Sequence, residues 1–242
     1  MSSTTTDAPD HVTCTVTDGV AIISIDDGKA NALSHAVLAG IEGALDQALD
    51  ADAKAVVLEG RDGKFSAGFD LSVMTAGPTE ARDMLGRGAE LGLRLYEFPT
   101  PVVFAVTGHA LAMGGILQCC ADVRIGAAGP YKIGLPEVRI GMPVPAFAVE
   151  LCRDRLNTAW FTRAVLLGEG FDPSQALAAG FFDEVVELDQ VRPRAQEIAA
   201  DLAENVHRGP FRMTRTTVRG ALAGELRAAL AADLAVFSVT SS

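Results

Sequence analysis

One carboxylate in this chain lies where ionisation is costly. Glu137 is set among Ile133, Leu135, Val138, Ile140 and Met142. Apolar surroundings disfavour the charged form and raise a carboxyl pKa toward neutrality, the range in which a side chain can both take and return a proton. The plainer reading of such a residue is an ion pair with nearby Arg139. Three glycine-rich segments bear on the choice: KFSAGFDL at 64–71, TGHALAMGG at 107–115 and GLPEVRIG at 134–141. Each follows a strand-like run or separates two. Glycine lets the backbone approach a ligand closely and leaves amide N–H groups free to point at it, so an anion or a developing oxyanion can be held without side chains. Any one of these segments alone reads as a tight turn.

Other chemistries lack an anchor. His11, His35, His109 and His207 are scattered and no H-E-x-x-H grouping occurs, so no metal site is assigned. Cys14, Cys119, Cys120 and Cys152 include an adjacent pair but no C-x-x-C spacing, which fits reduced thiols in a cytoplasmic protein. The stretch Gly86-Arg87-Gly88-Ala89-Glu90-Leu91-Gly92 comes near a dinucleotide fingerprint, but it lies within a helical pattern and follows no strand, so it reads as helix packing. Neither a G-x-S-x-G elbow nor a G-K-[ST] loop is present. His109 reads as a packed neighbour rather than a base.

Taken together and in order, the three segments resemble those of the crotonase (enoyl-CoA hydratase/isomerase) superfamily: an F-[SA]-A-G-x-D-L loop, a G-x-A-x-G-G-G helix start closing on C-A-D (here Cys120-Ala121-Asp122), and P-E-x-x-x-G at 136–141. Gly28-Lys29-Ala30-Asn31-Ala32-Leu33-Ser34 matches the family's early N-A-L segment, and the likeness runs from about residue 12 to 186. It implies an α/β fold, a spiral of ββα units with a C-terminal helical extension, assembled as a homotrimer or homohexamer. The implied ligand is an acyl-CoA thioester, with coenzyme A as part of the substrate and no separate cofactor.

In that family two backbone amides grip the thioester carbonyl and stabilise an enolate. By position these belong to Phe69, after Gly68, and to Met113, which stands where glycine is usual; Gly114 is the neighbouring substitute donor. The CoA moiety would lie near Ala30, Ser66 and Ala67, with Gly68, Asp70 and Leu71 completing that loop. Hydratases of the family use two glutamates, and the first falls on Ile116, which cannot ionise; the second is Glu137. Isomerases that move a β,γ double bond to the α,β position keep one glutamate with an apolar residue opposite, so the resemblance implies an enoyl-CoA isomerase. Hydration by an unorthodox water site, or another enolate reaction, is the alternative within the enzyme class, and a non-catalytic acyl-CoA binding protein the alternative outside it. No acidic residue occurs from 138 to 149, which removes a nucleophilic carboxylate.

The elements that must position these groups follow from periodicity. Residues 13–17 and 20–25 are β-rich runs split by Asp18-Gly19, a hairpin signal. Ser34 starts a helical pattern to Asp50 with Val37, Leu38, Ile41, Leu45 and Leu49 on one stripe. Residues 55–58, 102–106 and 122–125 are buried-strand candidates. Thr79 and Glu80 read as the cap of a helix ending near Phe98, with Met84, Leu91 and Leu95 inward. Alternation of strands and helices gives an α/β architecture. Residues 1–10 read as a flexible tail and 11–187 as the core. Residues 188–242 read as a helical oligomerisation region, with helices at 191–206 and 222–237.

Composition bounds the rest. Across 242 residues, 49% are hydrophobic and 21% charged, enough apolar side chain for one sizeable core. A net charge of −11 offers no basic face for nucleic acid. No uninterrupted apolar run is long enough to cross a bilayer, and a membrane partner is not expected.

Overall fold

A computed structural model describes residues 11–236. The 1–10 tail and the end of the second C-terminal helix lie outside the described residues. Strands β1 (Val12–Thr17) and β2 (Val20–Ile25) pair antiparallel across Asp18 and Gly19, both at positive φ (49° and 78°), as the Asp-Gly signal requires. A two-residue strand β3 (Ala32–Leu33) leads to α1 (His35–Asp50), whose Ser34 side chain accepts the Val37 N–H. Then come β4 (Ala55–Glu59), β5 (Gly63–Ser66), the short β6 (Gly68–Phe69), the single turn α2 (Leu71–Met74) and α3 (Pro78–Tyr96).

The cap of α3 differs from the expectation. Gly77 is the N-cap, Pro78 opens the helix, and Thr79 and Glu80 lie inside its first turn. Proline at the first position needs no N–H there and brings a preset φ, so it outcompetes a side-chain cap. The chain continues through β7 (Val102–Val106), β8 (Gly108–Leu111), α4 (Met113–Gln118), β9 (Val123–Ala127) and β10 (Ile133–Gly134). A 3₁₀ turn at Glu137–Ile140 precedes α5 (Ala146–Arg155), α6 (Thr158–Phe161) and a π-helical turn at Thr162–Leu166. The last elements are α7 (Pro173–Ala179), β11 (Glu184–Val186), α8 (Leu188–Asn205) and α9 (Arg208–Val236).

The strands sort into sheets by turn of the spiral. A six-stranded sheet runs β1-β2-β4-β7-β9-β11, parallel apart from the opening hairpin. The second strand of successive turns goes elsewhere: β10-β8-β5 form a parallel three-stranded sheet and β3 pairs with β6. This is the ββα spiral. Because both faces of the large sheet are covered, its central strands read as unbroken apolar runs. Val56, Leu58, Val102 and Phe104 face the main core with α1 and α3, while Val57, Val103, Ala105 and Ile125 meet Val191, Ala195 and Ala199 of α8.

The 188–242 region is therefore two things. Its first helix starts three residues earlier than read and closes the second face of the sheet within the chain. Its second starts fourteen residues earlier, at Arg208, and packs on α3. No described helix is long and apolar enough to cross a membrane.

Candidate active site

The three glycine-rich segments carry the chain off the C-terminal ends of β6, β8 and β10, and the spiral brings those ends together. Gly68 has φ +89°, and a Cβ placed on it would lie 2.7 Å from Ala112 Cβ and 3.2 Å from Met113 N. Only glycine allows the first loop this close to the second. Beyond it, Asp70 N–H donates to Leu33 O at 3.3 Å. Successive amides of extended backbone point to opposite sides, which turns the Phe69 N–H away from β3.

The second donor arises from strain. Ala112 is held at φ 52°, ψ −126°, outside the regions a residue with a Cβ prefers. That bend converts β8 abruptly into α4. The Gly115 and Ile116 amides donate back to Ala112 O (2.8 and 2.9 Å), leaving the Met113 and Gly114 N–H groups as the open donors of the helix start. Gly114 is backed against the first loop: a Cβ there would lie 2.6 Å from Ser66 O.

Between these loops lies an apolar cavity of about 150 Å³, walled by Phe69, Met74, Leu85, Ile116, Ile140, Met142 and Phe147 among others. Among the described residues Glu137, at the start of the 3₁₀ turn, is the one titratable side chain lining it. The residue is 7% exposed, and its Oε2 is buried without a hydrogen-bond partner. Burial pushes its pKa up to about 7. Arg139 does not neutralise it; that guanidinium is exposed and donates to Leu167 O at 2.7 Å. Ile116 shares the cavity wall, so among the described residues no second carboxylate faces Glu137 there.

The arrangement is an apolar chamber with one poised carboxyl group and two loops of open amides at its edge. A family profile described as enoyl-CoA hydratase/isomerase matches residues 15–242. The chain belongs to that family. Enoyl-CoA hydratase/isomerase enzymes act on acyl-CoA thioesters. A probable enoyl-CoA hydratase of Bacillus subtilis is 33% identical over 190 residues, 76% of this chain and 73% of the relative. The mitochondrial enoyl-CoA delta isomerase 1 of Mus musculus is 32% identical over 225 residues, 91% of this chain and 77% of the relative. The crystal structure of an enoyl-CoA hydratase/isomerase family protein from Pseudomonas syringae superposes with a TM-score of 0.92 at 39% identity, covering 95% of this chain and 99% of that one.

The residues expected to meet coenzyme A fall along the same edge of this hydratase/isomerase fold, with unequal access. Ala67 is exposed, lines the chamber and donates its N–H to Ala30 O at 3.1 Å. Ala30 and Asp70 border a second, wider cleft of about 600 Å³ with Lys29 and Ser72. Leu71 stands 64% exposed at the chamber mouth. Asp70 caps α2 by accepting Ser72 N–H at 2.9 Å. Ser66 is different: it is 1% exposed, its hydroxyl donates to Asn31 O at 2.8 Å and accepts the Gly68 N–H at 3.1 Å, so its side chain shapes the loop from behind.

His109 is a packed neighbour, accepting Lys132 N–H at 3.0 Å and meeting Tyr131 edge-on. Leu85 and Phe147 line the chamber without having been singled out, because on helices their spacing marks them only as core. The strained Ala112 left no signal either, since a non-glycine residue rarely takes its conformation.

Proposed function

We propose that this chain is an enoyl-CoA isomerase that moves a β,γ double bond to the α,β position with Glu137 as the proton carrier. One observation carries the reading: the single ionisable side chain lining an apolar chamber faces an aliphatic residue, Ile116, where a hydratase of this family needs a second acid. The ionised Glu137 carboxylate takes a proton from the α-carbon, and the C–H electron pair passes into the conjugated thioester as a dienolate. The protonated carboxyl then returns that proton to the γ-carbon, the electrons re-form the double bond between α and β carbons, and nothing is added or lost. The Phe69 and Met113 N–H groups are the proposed oxyanion donors, with Gly114 adjacent; a helix N-terminus favours the negative charge that develops there. One such donor contributes roughly 3 kcal/mol of transition-state stabilisation.

In this reading coenzyme A enters with the substrate along Ala30 and Ala67 and no separate cofactor takes part. The subunits assemble as trimers or pairs of trimers, with the exposed Met213 and Val218 of α9 as apolar surface available to cover. Incubating purified protein with a β,γ-enoyl-CoA should give the α,β isomer, and Glu137→Gln should lower kcat by about 10²-fold or more, the usual worth of a positioned acid/base. Equal rates for the two proteins would end the assignment. The hydratase-named relative favours a second reading, water addition, which a rate on crotonyl-CoA well above background would support. Acyl-CoA binding without any turnover would instead support a non-catalytic binding protein.

A further inference from the structure

Helix α3 carries Gly86, Gly88 and Gly92 within nineteen residues, although each glycine inside a helix costs about 1 kcal/mol relative to alanine. Their surroundings separate them. A Cβ on Gly92 would meet Cys120 Sγ at 3.5 Å and Met113 Cε at 3.7 Å, ordinary contacts. A Cβ on Gly88 would lie 2.3 and 2.5 Å from Cζ and Cε1 of the Phe69 ring, far inside contact distance. The ring of Phe69 thus rests directly on the backbone of α3 at Gly88. The same ring lines the apolar chamber beside Glu137. Since β6 is paired to β3, the Phe69 Cα is held in place, so a methyl group at position 88 pushes the ring off the helix, and the chamber that the ring already lines is the open space beside it.

We propose that Gly88 is a specificity-determining position: its bare backbone is the berth of the Phe69 ring, and this keeps the chamber wide enough for a compact acyl tail. An apolar cavity near 150 Å³ takes a molecule the size of benzene, which sets the accommodated tail at about six carbons. The inference rests on the chamber being the acyl pocket, and it assigns a role to the one glycine-rich stretch that the catalytic reading leaves unused.

The test reads binding rather than turnover. Saturated acyl-CoAs from butanoyl to hexadecanoyl are titrated by calorimetry into the wild type, Gly88→Ala, Gly92→Ala and the double variant Gly88→Ala/Phe69→Leu. In the wild type and in Gly92→Ala, Kd should tighten about fourfold per added methylene until the chamber is filled near hexanoyl, then level off. In Gly88→Ala the levelling should come at a shorter chain, and hexanoyl-CoA should bind about tenfold more weakly, with a melting temperature matching that of Gly92→Ala. Replacing the displaced ring by the shorter leucine in the double variant should restore the wild-type profile. A Gly88→Ala profile identical to wild type, or no rescue by Phe69→Leu, overturns the role of Gly88 while leaving the acyl-CoA reading intact. Failure of the wild type to bind any acyl-CoA overturns both.

Discussion

At the scale of the residue, Glu137 couples function to pH and to stability with opposite signs. In the proposed reaction it must be ionised to accept the α-proton, and burial raises its pKa to about 7. The kcat/KM of that proposed isomerisation should therefore climb about tenfold per pH unit below neutrality and level off above about 7, as read from a pH–rate profile. Stability runs the other way. The folded protein keeps a proton on Glu137 that the unfolded chain, with an ordinary value near 4.5, releases. Burial of this carboxyl therefore carries no ionisation penalty below pH 4.5, a growing one between, and a full one above about 7, amounting to about 3 kcal/mol. Denaturant unfolding at pH 5 and pH 8 should show Glu137→Gln gaining about that much relative to wild type at the higher pH. An identical difference at both pH values would mean the carboxylate is solvated. Glu137 was legible in the sequence because it stands in the P-E-x-x-x-G segment at 136–141, in order after the other two motifs; its apolar neighbours alone left an ion pair with Arg139 as the plainer reading. The Ala112 strain and the Gly88 berth were not, because both depend on segments distant in sequence meeting in space.

At the scale of the element, the loop from β2 to β3 shows what holds the first motif in register. Asn31 is fully buried at φ 52°, and its Nδ2 donates to Ile25 O at 2.8 Å, Lys64 O at 3.1 Å and Phe65 O at 3.3 Å, while Oδ1 accepts the Asp27 N–H at 3.0 Å. One side chain thus ties the end of β2 to β5, and asparagine tolerates the left-handed conformation better than alanine. Asn31→Ala would leave buried carbonyls unpaired and add backbone strain, costing about 3 kcal/mol. A fall in Tm of about 6–12 °C is expected by calorimetry, on a scale of about 2–4 °C per kcal/mol at this size; a shift under a degree would remove Asn31 from this role. The long elements, the opening hairpin, α1, β4 and β7, were legible from period and turn chemistry. The two-residue strands β3, β6 and β10 carry too few residues to show any period, yet they aim the glycine-rich loops at the chamber.

At the scale of the whole molecule, the start of α9 escaped sequence reading because its inward face is cationic. Periodicity finds apolar stripes, and the first half of this helix offers Arg215 and Arg219 where a leucine would have been noticed. Arg215 is 7% exposed, pairs with Asp122 and donates to Phe98 O, and Arg219 lies 3.1 Å from the other Asp122 oxygen. Asp122 also accepts the Val102 N–H at 2.8 Å. The aspartate that closes the second motif is thus a clasp joining the start of β7 to the C-terminal helix. Desolvation lowers the Arg215 pKa while Asp122 opposes the fall, so the cation depends on its partner. Removing one member of a buried pair strands the other charge, typically at a cost of about 3–5 kcal/mol. Asp122→Ala should therefore release α9: amide exchange along residues 208–230 should rise well above that of α1, and unfolding should begin at lower denaturant. If protection along α9 stays at the wild-type level, the helix is held by its apolar contacts with α3 instead, through Leu226, Leu230 and Leu234, and the clasp contributes little.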